Sequence, residues 1–284
     1  MSNSSSANGL AAAGTLSSVA ELIDLHDSLQ NHPRWAFGGQ PRDFGTLVPS
    51  FQRQFSRKSL GTAEIIESRL IEAFRVHYEA LKDRTADMPG PQRIAPGYDL
   101  RCLSVMQHYE IPTRLLDWTS DFWIALYFAC ASDPEAQAEL WYYDRRLFEM
   151  QRVLDPSLAT LVDAVTNPPY EPVLLDRRGA ALLLELDPKI TPRMREQSAH
   201  HTVSTNVFAD HAPLLVALQR DAEQPAQDNG PMLRRILIDA ACKPKALQFL
   251  ADHLNITAST IFPDVVGLGR FLRWQFESLR TMLL

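Results

Sequence analysis

The chain has 284 residues, 45% hydrophobic and 22% charged, the balance of an ordinary globular protein whose core needs no staples. Its net charge of −6 argues against a broad phosphate-tracking surface for duplex nucleic acid, and no apolar run approaches the roughly 18 residues that a membrane helix needs. Cys102, Cys130 and Cys242 are far apart and odd in number, so neither a disulfide framework nor a zinc knuckle is expected, no metal is expected, and the expected setting is a reducing cytosol.

Residues 1–14 are rich in Ser, Ala and Asn, lack a basic segment, and read as a disordered lead. Ser18 to Glu21 form a capping box, and Val19, Leu22, Ile23, His26 and Leu29 follow at helical spacing, which predicts a helix over 18–30. Arg34 to Gln40 reads as a short strand interrupted by Gly38 and Gly39, where a backbone can be approached closely. Thr62 to Lys82 is an amphipathic helix, with Ile66, Leu70, Phe74 and Leu81 as its apolar face and Glu64, Glu67, Glu72 and Lys82 as its polar complement. Proline and glycine break the chain at 88–91 and 96–97, and a helix over 99–109 follows.

Thr113 to Trp118 alternates as a strand does, and an apolar helix follows from Phe122 to Cys130. Glu139 to Asp144 is an aromatic-rich strand; 155–172 is irregular, with a short helix at 157–165. Ala180–Asp187, Thr202–Val207, Leu214–Gln219 and Leu233–Asp239 read as strands, with a polar turn over 221–231. Pro244 opens a helix that Asn255 can close, and a last helix spans 265–282. No repeat or composition break divides the chain. The expectation is a single α+β domain over 15–284, helices first and last, with a mainly antiparallel sheet in the later half.

The densest chemistry lies in Gln107-His108-Tyr109-Glu110-Ile111-Pro112-Thr113-Arg114-Leu115-Leu116-Asp117-Trp118-Thr119, a polar run that feeds the apolar helix. On a regular strand Arg114, Leu116 and Trp118 share one face and Thr113, Leu115 and Asp117 the other. Thr119, Ser120 and Asp121 are all good N-caps, and a helix N-terminus beside an arginine is a ready anion site; the plain alternative is that one of them only caps the helix. His108 is a candidate general base, or else a histidine that orients Asp117 or Glu110. The contiguous His77-Tyr78-Glu79 and His108-Tyr109-Glu110 are not a triad, because neighbouring residues cannot converge as residues from three strands do. Arg193, Arg195, Glu196 and Gln197, beside His200 and His201, form a candidate second wall; the adjacent histidines lack metal-ligand spacing.

These residues resemble the FRG domain family of bacterial proteins, named for a Phe-Arg-Gly. The resemblance rests on Trp35–Gln40 with Leu47–Ser50, on MQHYEIPTRLLDWT (106–119) followed by ALYFA (125–129), on Arg193–Ser204 and on Phe262–Leu272. The eponymous arginine is replaced: the chain reads Phe37-Gly38-Gly39. If that arginine grips a phosphate or ribose, a contact worth about 1.5–3 kcal/mol is missing here. The resemblance carries a fold-level analogy to ADP-ribosyltransferases and implies a defence or toxin-type effector that binds NAD or another nucleotide, cleaving it or transferring ADP-ribose. In that reading Arg114 holds phosphate; His108 and Thr119 orient the sugar; Trp118 or Tyr109 stacks on a base; Asp117, Gly38 and Arg195 line the site; and Glu196 stands nearest to a catalytic glutamate. A protein partner such as an antitoxin fits this reading. The rival is a non-catalytic sensor or interaction module in which the 108–119 run is a rigid structural network, and it predicts that Arg114→Ala unfolds the protein. A nuclease lacks both a carboxylate cluster for metal and a basic surface.

Overall fold

The computed structural model describes residues 10–29, 34–55, 60–81, 100–155, 157, 181–186, 192–222, 232–263 and 265–283. Its strands are β1 (Thr15–Leu16), β2 (Trp35–Gln40), β3 (Leu115–Thr119), β4 (Ala138–Asp144), β5 (Leu183–Leu186), β6 (Ala199–Ser204) and β7 (Leu233–Ile238). Its helices are α1 (Val19–Leu29), α2 (Leu60–Leu81), α3 (Leu100–His108), α4 (Phe122–Cys130), α5 (Arg146–Leu154), α6 (Pro192–Glu196), α7 (His211–Ala222), α8 (Lys243–Leu254), α9 (Ala258–Ile261) and α10 (Val265–Leu283). The strands form one seven-stranded open sheet in the order β1-β7-β4-β2-β3-β6-β5. Every pairing is antiparallel except β1 with β7. The α+β class and the antiparallel character agree with the sequence; the placement in the later half does not, because β1 to β4 all precede residue 145.

Helices cover both faces of the sheet, which is why all of β4 is buried, including its polar ends Glu139 and Asp144. One core joins Phe37, Leu140, Tyr142 and Ile236 to Leu22 of α1, Ala125 and Ala129 of α4 and Leu250 of α8. The other joins Ala36, Trp118, Trp141, Tyr143 and Leu233 to Leu147 of α5 and Leu215 of α7. A third cluster packs Ile71 of α2 and Leu103 and Met106 of α3 on Leu115, Leu184 and Val203.

The two glycines of β2 solve different problems. A Cβ on Gly39 would lie 2.0 Å from the Ala125 carbonyl oxygen, so α4 can cross the strand there only because residue 39 has no side chain. A Cβ on Gly38 would meet the Trp118 ring at 3.0 Å. The space on that face of β2 is filled by Trp118.

Helix boundaries follow local chemistry. Ser18 and Glu21 exchange the capping-box bonds, the Glu21 N–H donating to Ser18 Oγ (3.3 Å) and the Ser18 N–H to Glu21 Oε2 (3.0 Å). The backbone N–H and hydroxyl of Ser17, and then Ser18, donate to the Glu21 carboxyl and hold it below its ordinary pKa. Asn255 ends α8 in the left-handed region at φ 54°. Leu214–Gln219 is not a strand; it lies inside α7, whose first turn is capped by Asp210 Oδ1 accepting from the Ala212 N–H (3.0 Å). The sequence reading did not anticipate α5, which starts where the buried Asp144 carboxylate accepts from the Arg146 N–H (2.9 Å). Residues 10–14 of the expected lead are tied into the sheet, the Ala13 N–H donating to the Arg235 carbonyl at 2.8 Å. The strand expected at 202–207 runs from 199 to 204, and Val207 packs beyond it against Phe51 and Ala63. The breaks at 88–97 and nearly all of the short helix at 157–165 and of the turn at 221–231 fall outside the described residues. Among the described residues no helix is long and apolar enough to cross a membrane.

Candidate functional site

The run from Gln107 to Thr119 carries the chain from α3 into the middle of the sheet. Helix α3 closes with a Schellman turn: the Ile111 N–H donates to the Met106 carbonyl and the Glu110 N–H to the Gln107 carbonyl, both at 3.0 Å. Glu110 occupies the left-handed position at φ 61°, which favours glycine. The turn points Glu110 toward α10, where Arg270 Nη2 donates to Glu110 Oε1 at 3.1 Å.

Three residues of the run build a directional relay. The Leu115 N–H donates to Thr113 Oγ1 (3.1 Å), so that hydroxyl directs its proton to Gln107 Oε1 (2.5 Å). With its oxygen committed, Gln107 presents Nε2 to Asp117 Oδ2 (2.9 Å). Ser50 Oγ fixes the turn by accepting from the Thr113 N–H at 3.2 Å. On the other side of Asp117, His201 is its directly paired neighbour across β3 and β6, and His201 Nδ1 lies 2.9 Å from Asp117 Oδ1, at ion-pair distance though off the line of a hydrogen bond. Thr113 and His201 are buried, whereas the Asp117 side chain is 60% exposed. Asp117 is therefore a carboxylate held in place before any ligand arrives.

Asp117 opens into a cavity of about 780 Å³. Its walls are Gln107 of α3, Glu110 and Ile111 of the turn, Tyr127 and Phe128 of α4, Leu247 and Ala251 of α8, Thr257 and Ala258 at α9, Phe262, and Arg270, Phe271, Arg273 and Trp274 of α10. Most of the lining is apolar and aromatic, and its charged groups are the carboxylates of Glu110 and Asp117 and the guanidinium groups of Arg270 and Arg273; that mixture suits a small organic ligand with a charged end. The start of α10 is pinned by Gly267, where a Cβ would lie 1.9 Å from the Phe262 carbonyl oxygen. Burial pushes the Tyr127 phenol above its ordinary pKa, and Arg270 pulls it part of the way back.

Of the residues singled out in the sequence, Asp117 lines this cavity. Arg114 does not: its side chain is 1% exposed, Nε donates to Glu67 Oε1 (2.7 Å), Nη2 to Glu67 Oε2, and Nη1 to the carbonyls of Ser204 and Thr205 (3.3 Å each). Its charge is already matched, and the arginine ties α2 to the end of β6. Glu67, expected on the polar face of α2, lies instead on the buried face with Ala63 and Ile71, while Ile66 is exposed. The N-terminus of α4 is not beside Arg114, because β3 lies between them, and it is filled from within: Asp121 Oδ1 accepts from the N–H groups of Trp123 (2.7 Å) and Ile124 (3.2 Å). Trp118 is a core residue whose indole N–H donates to Thr202 Oγ1 (2.9 Å), and it meets Tyr143 edge to face. Thr119 braces the strand end, donating to the Gln197 carbonyl (2.7 Å) and accepting from the Asp121 N–H (3.0 Å). His108 and Tyr109 stack edge to face outside the cavity lining. Arg195 and Glu196 are exposed on α6 and also do not line it. Gly38 faces Trp118. Among the described residues no group of three His, Cys, Asp or Glu side chains is placed to hold a metal ion.

The model of the FRG domain family matches residues 33–138. No curated protein matches the chain, and no solved structure does. The matched range contains Gln107, Thr113 and Asp117; His201 and the walls contributed by α8, α9 and α10 lie beyond it.

Proposed function

We propose, from the premise that this chain carries an FRG domain over residues 33–138, that the protein binds a nucleotide, NAD first among candidates, in the cavity at Asp117. The observation that carries the reading is the pre-oriented carboxylate at one end of a cavity with aromatic walls and arginines on α10. Each part of a nucleotide has a counterpart there. A ribose diol donates well to a fixed carboxylate, as in dinucleotide sites where an acidic residue accepts from the 2′-hydroxyl. A base gains area and stacking against Tyr127, Phe128, Phe262 and Trp274. With Arg114 and the α4 N-terminus already neutralised, the phosphate-binding role passes to the α10 side of the cavity. The finer reading is an NAD-consuming effector of defence or toxin type: the bond between ribose and nicotinamide breaks with its electron pair going to nicotinamide, water bonds to the ribose carbon and releases a proton to solvent, and Asp117 stabilises the positive charge that develops on the sugar.

The experiment is incubation of the purified protein with NAD, with nicotinamide release and thermal shift read together. Release supports the NAD-consuming reading. A thermal shift without release supports nucleotide binding by a sensor. Neither signal, across NAD, ADP and ATP, removes the nucleotide reading. One observation favours the sensor or interaction module as a second reading: Arg114, Trp118 and Thr119 are spent on structure, and Gly38 presents no arginine.

A further inference from the structure

We infer that Arg270 and Arg273 form an anion subsite for the phosphate end of the ligand, and that Glu110 is its built-in competitor. This inference rests on the nucleotide reading of the cavity. The two arginines are three residues apart on α10 and so share a face, and both line the cavity. Arg273 is exposed on α10 and lines the cavity. Arg270 is engaged, but weakly: its bond to Glu110 joins side chains 44% and 64% exposed. Such a pair is shielded by water and exchanges readily. The Phe262 ring, 4.8 Å from the guanidinium carbon, keeps Arg270 at the cavity wall whichever anion it holds. A phosphate offers the bidentate geometry that a guanidinium prefers, so a phosphorylated ligand displaces the carboxylate from Arg270 and gains Arg273 as well. The ligand class is therefore a nucleoside di- or polyphosphate, and the charge of Glu110 sets how tightly it binds.

The test is calorimetric titration of the full chain with adenosine and with ADP, in the wild type and in three variants: Glu110→Gln, Arg273→Gln, and Glu72→Gln as a control with the same charge change on the exposed side of α2. The wild type binds ADP more tightly than adenosine by about tenfold or more. Arg273→Gln removes most of that preference. Glu110→Gln strengthens ADP binding about two- to fivefold by removing the competing pair and leaves adenosine unchanged, while Glu72→Gln changes neither. Adenosine binding with no preference for ADP, or Glu110→Gln leaving ADP affinity where it was, overturns the subsite and leaves the nucleotide reading intact. If neither compound binds, the subsite is overturned; if NAD and ATP also give no thermal shift, the nucleotide reading falls with it. Melting curves of each variant establish that the fold is unchanged, as expected for exposed side chains.

Discussion

Replacing Glu67 by methionine leaves the guanidinium of Arg114 buried at 1% exposure without the Glu67 counter-charge, with the carbonyls of Ser204 and Thr205 still accepting from it. Replacing Arg114 by methionine strands the Glu67 carboxylate in the same place. Removing one member of a buried pair costs about 3–5 kcal/mol, chiefly because the other ion stays desolvated and unpaired. With a urea m-value of about 3 kcal/mol/M, each single variant lowers the unfolding midpoint by roughly 1–1.5 M. The double variant Glu67→Met/Arg114→Met removes both charges and keeps similar volume, so its loss is smaller than that of either single change, and the coupling energy from the cycle is about 3 kcal/mol or more. The assay is urea unfolding of the four proteins followed by tryptophan fluorescence. Additive losses, or single variants within about 1 kcal/mol of wild type, refute the account of the pair as a buried tether between α2 and β6.

Three other predictions concern the frame around the site. Gly39→Ala places a methyl 2.0 Å from the Ala125 carbonyl, so α4 must lift from β2; the expected result is insoluble or unfolded protein, checked by circular dichroism. Gly38→Arg sets in place the arginine that the resemblance implies, but its Cβ meets the Trp118 ring at 3.0 Å; thermal melts should show a loss of about 1–3 kcal/mol. His211 is fully buried, its Nδ1 2.9 Å from Thr202 Oγ1, and burial pushes its pKa from 6.5 down to about 3. The unfolded chain therefore takes up a proton below pH 6.5 that the folded chain refuses. The contribution is complete above about pH 6.5 and is lost at about 1.4 kcal/mol per pH unit between about 6.5 and 3. His211→Gln flattens that part of the stability profile, measured by urea unfolding at stepped pH.

What could be read in the sequence is what local chemistry decides. The capping box at Ser18, the Asn255 stop and the strand at Leu233 each depend on residues within a turn of one another, and each stands where expected. Leu214–Gln219 failed because a short apolar run has no period of its own; the deciding residue was Asp210, whose carboxylate starts a helix. Glu67 failed because a carboxylate on an apolar face is legible only once its partner Arg114, 47 residues away, is known. The site divides in the same way. Asp117 was visible as part of an unusually polar run, but the relay through Gln107 and Thr113 depends on the turn at Glu110, and His201 arrives by strand pairing. Tyr127, Phe128 and Arg270 lie in stretches that carry the family resemblance, but nothing in the sequence sets them on one wall with Arg273 and Trp274; only the fold brings residues of α4, α8 and α10 to the same cavity. The alternation expected of β3 holds from Leu115 onward, with Leu116 and Trp118 in one core cluster and Leu115 in another, whereas Arg114 lies before the strand; which side holds the site cannot be told from alternation alone.

The central claim, that Asp117 is a ligand-binding carboxylate and not another member of the structural network, is tested most directly by titrating NAD into the wild type and into Asp117→Asn. Asparagine keeps the shape and the contact with Gln107 while removing the charge. A hydrogen bond from a ribose hydroxyl to a carboxylate is worth about 1.5–3 kcal/mol, so NAD affinity should fall about ten- to a hundredfold with the melting temperature of the free protein nearly unchanged. Equal NAD affinity in the two proteins, or an Asp117→Asn variant that no longer folds, contradicts the claim.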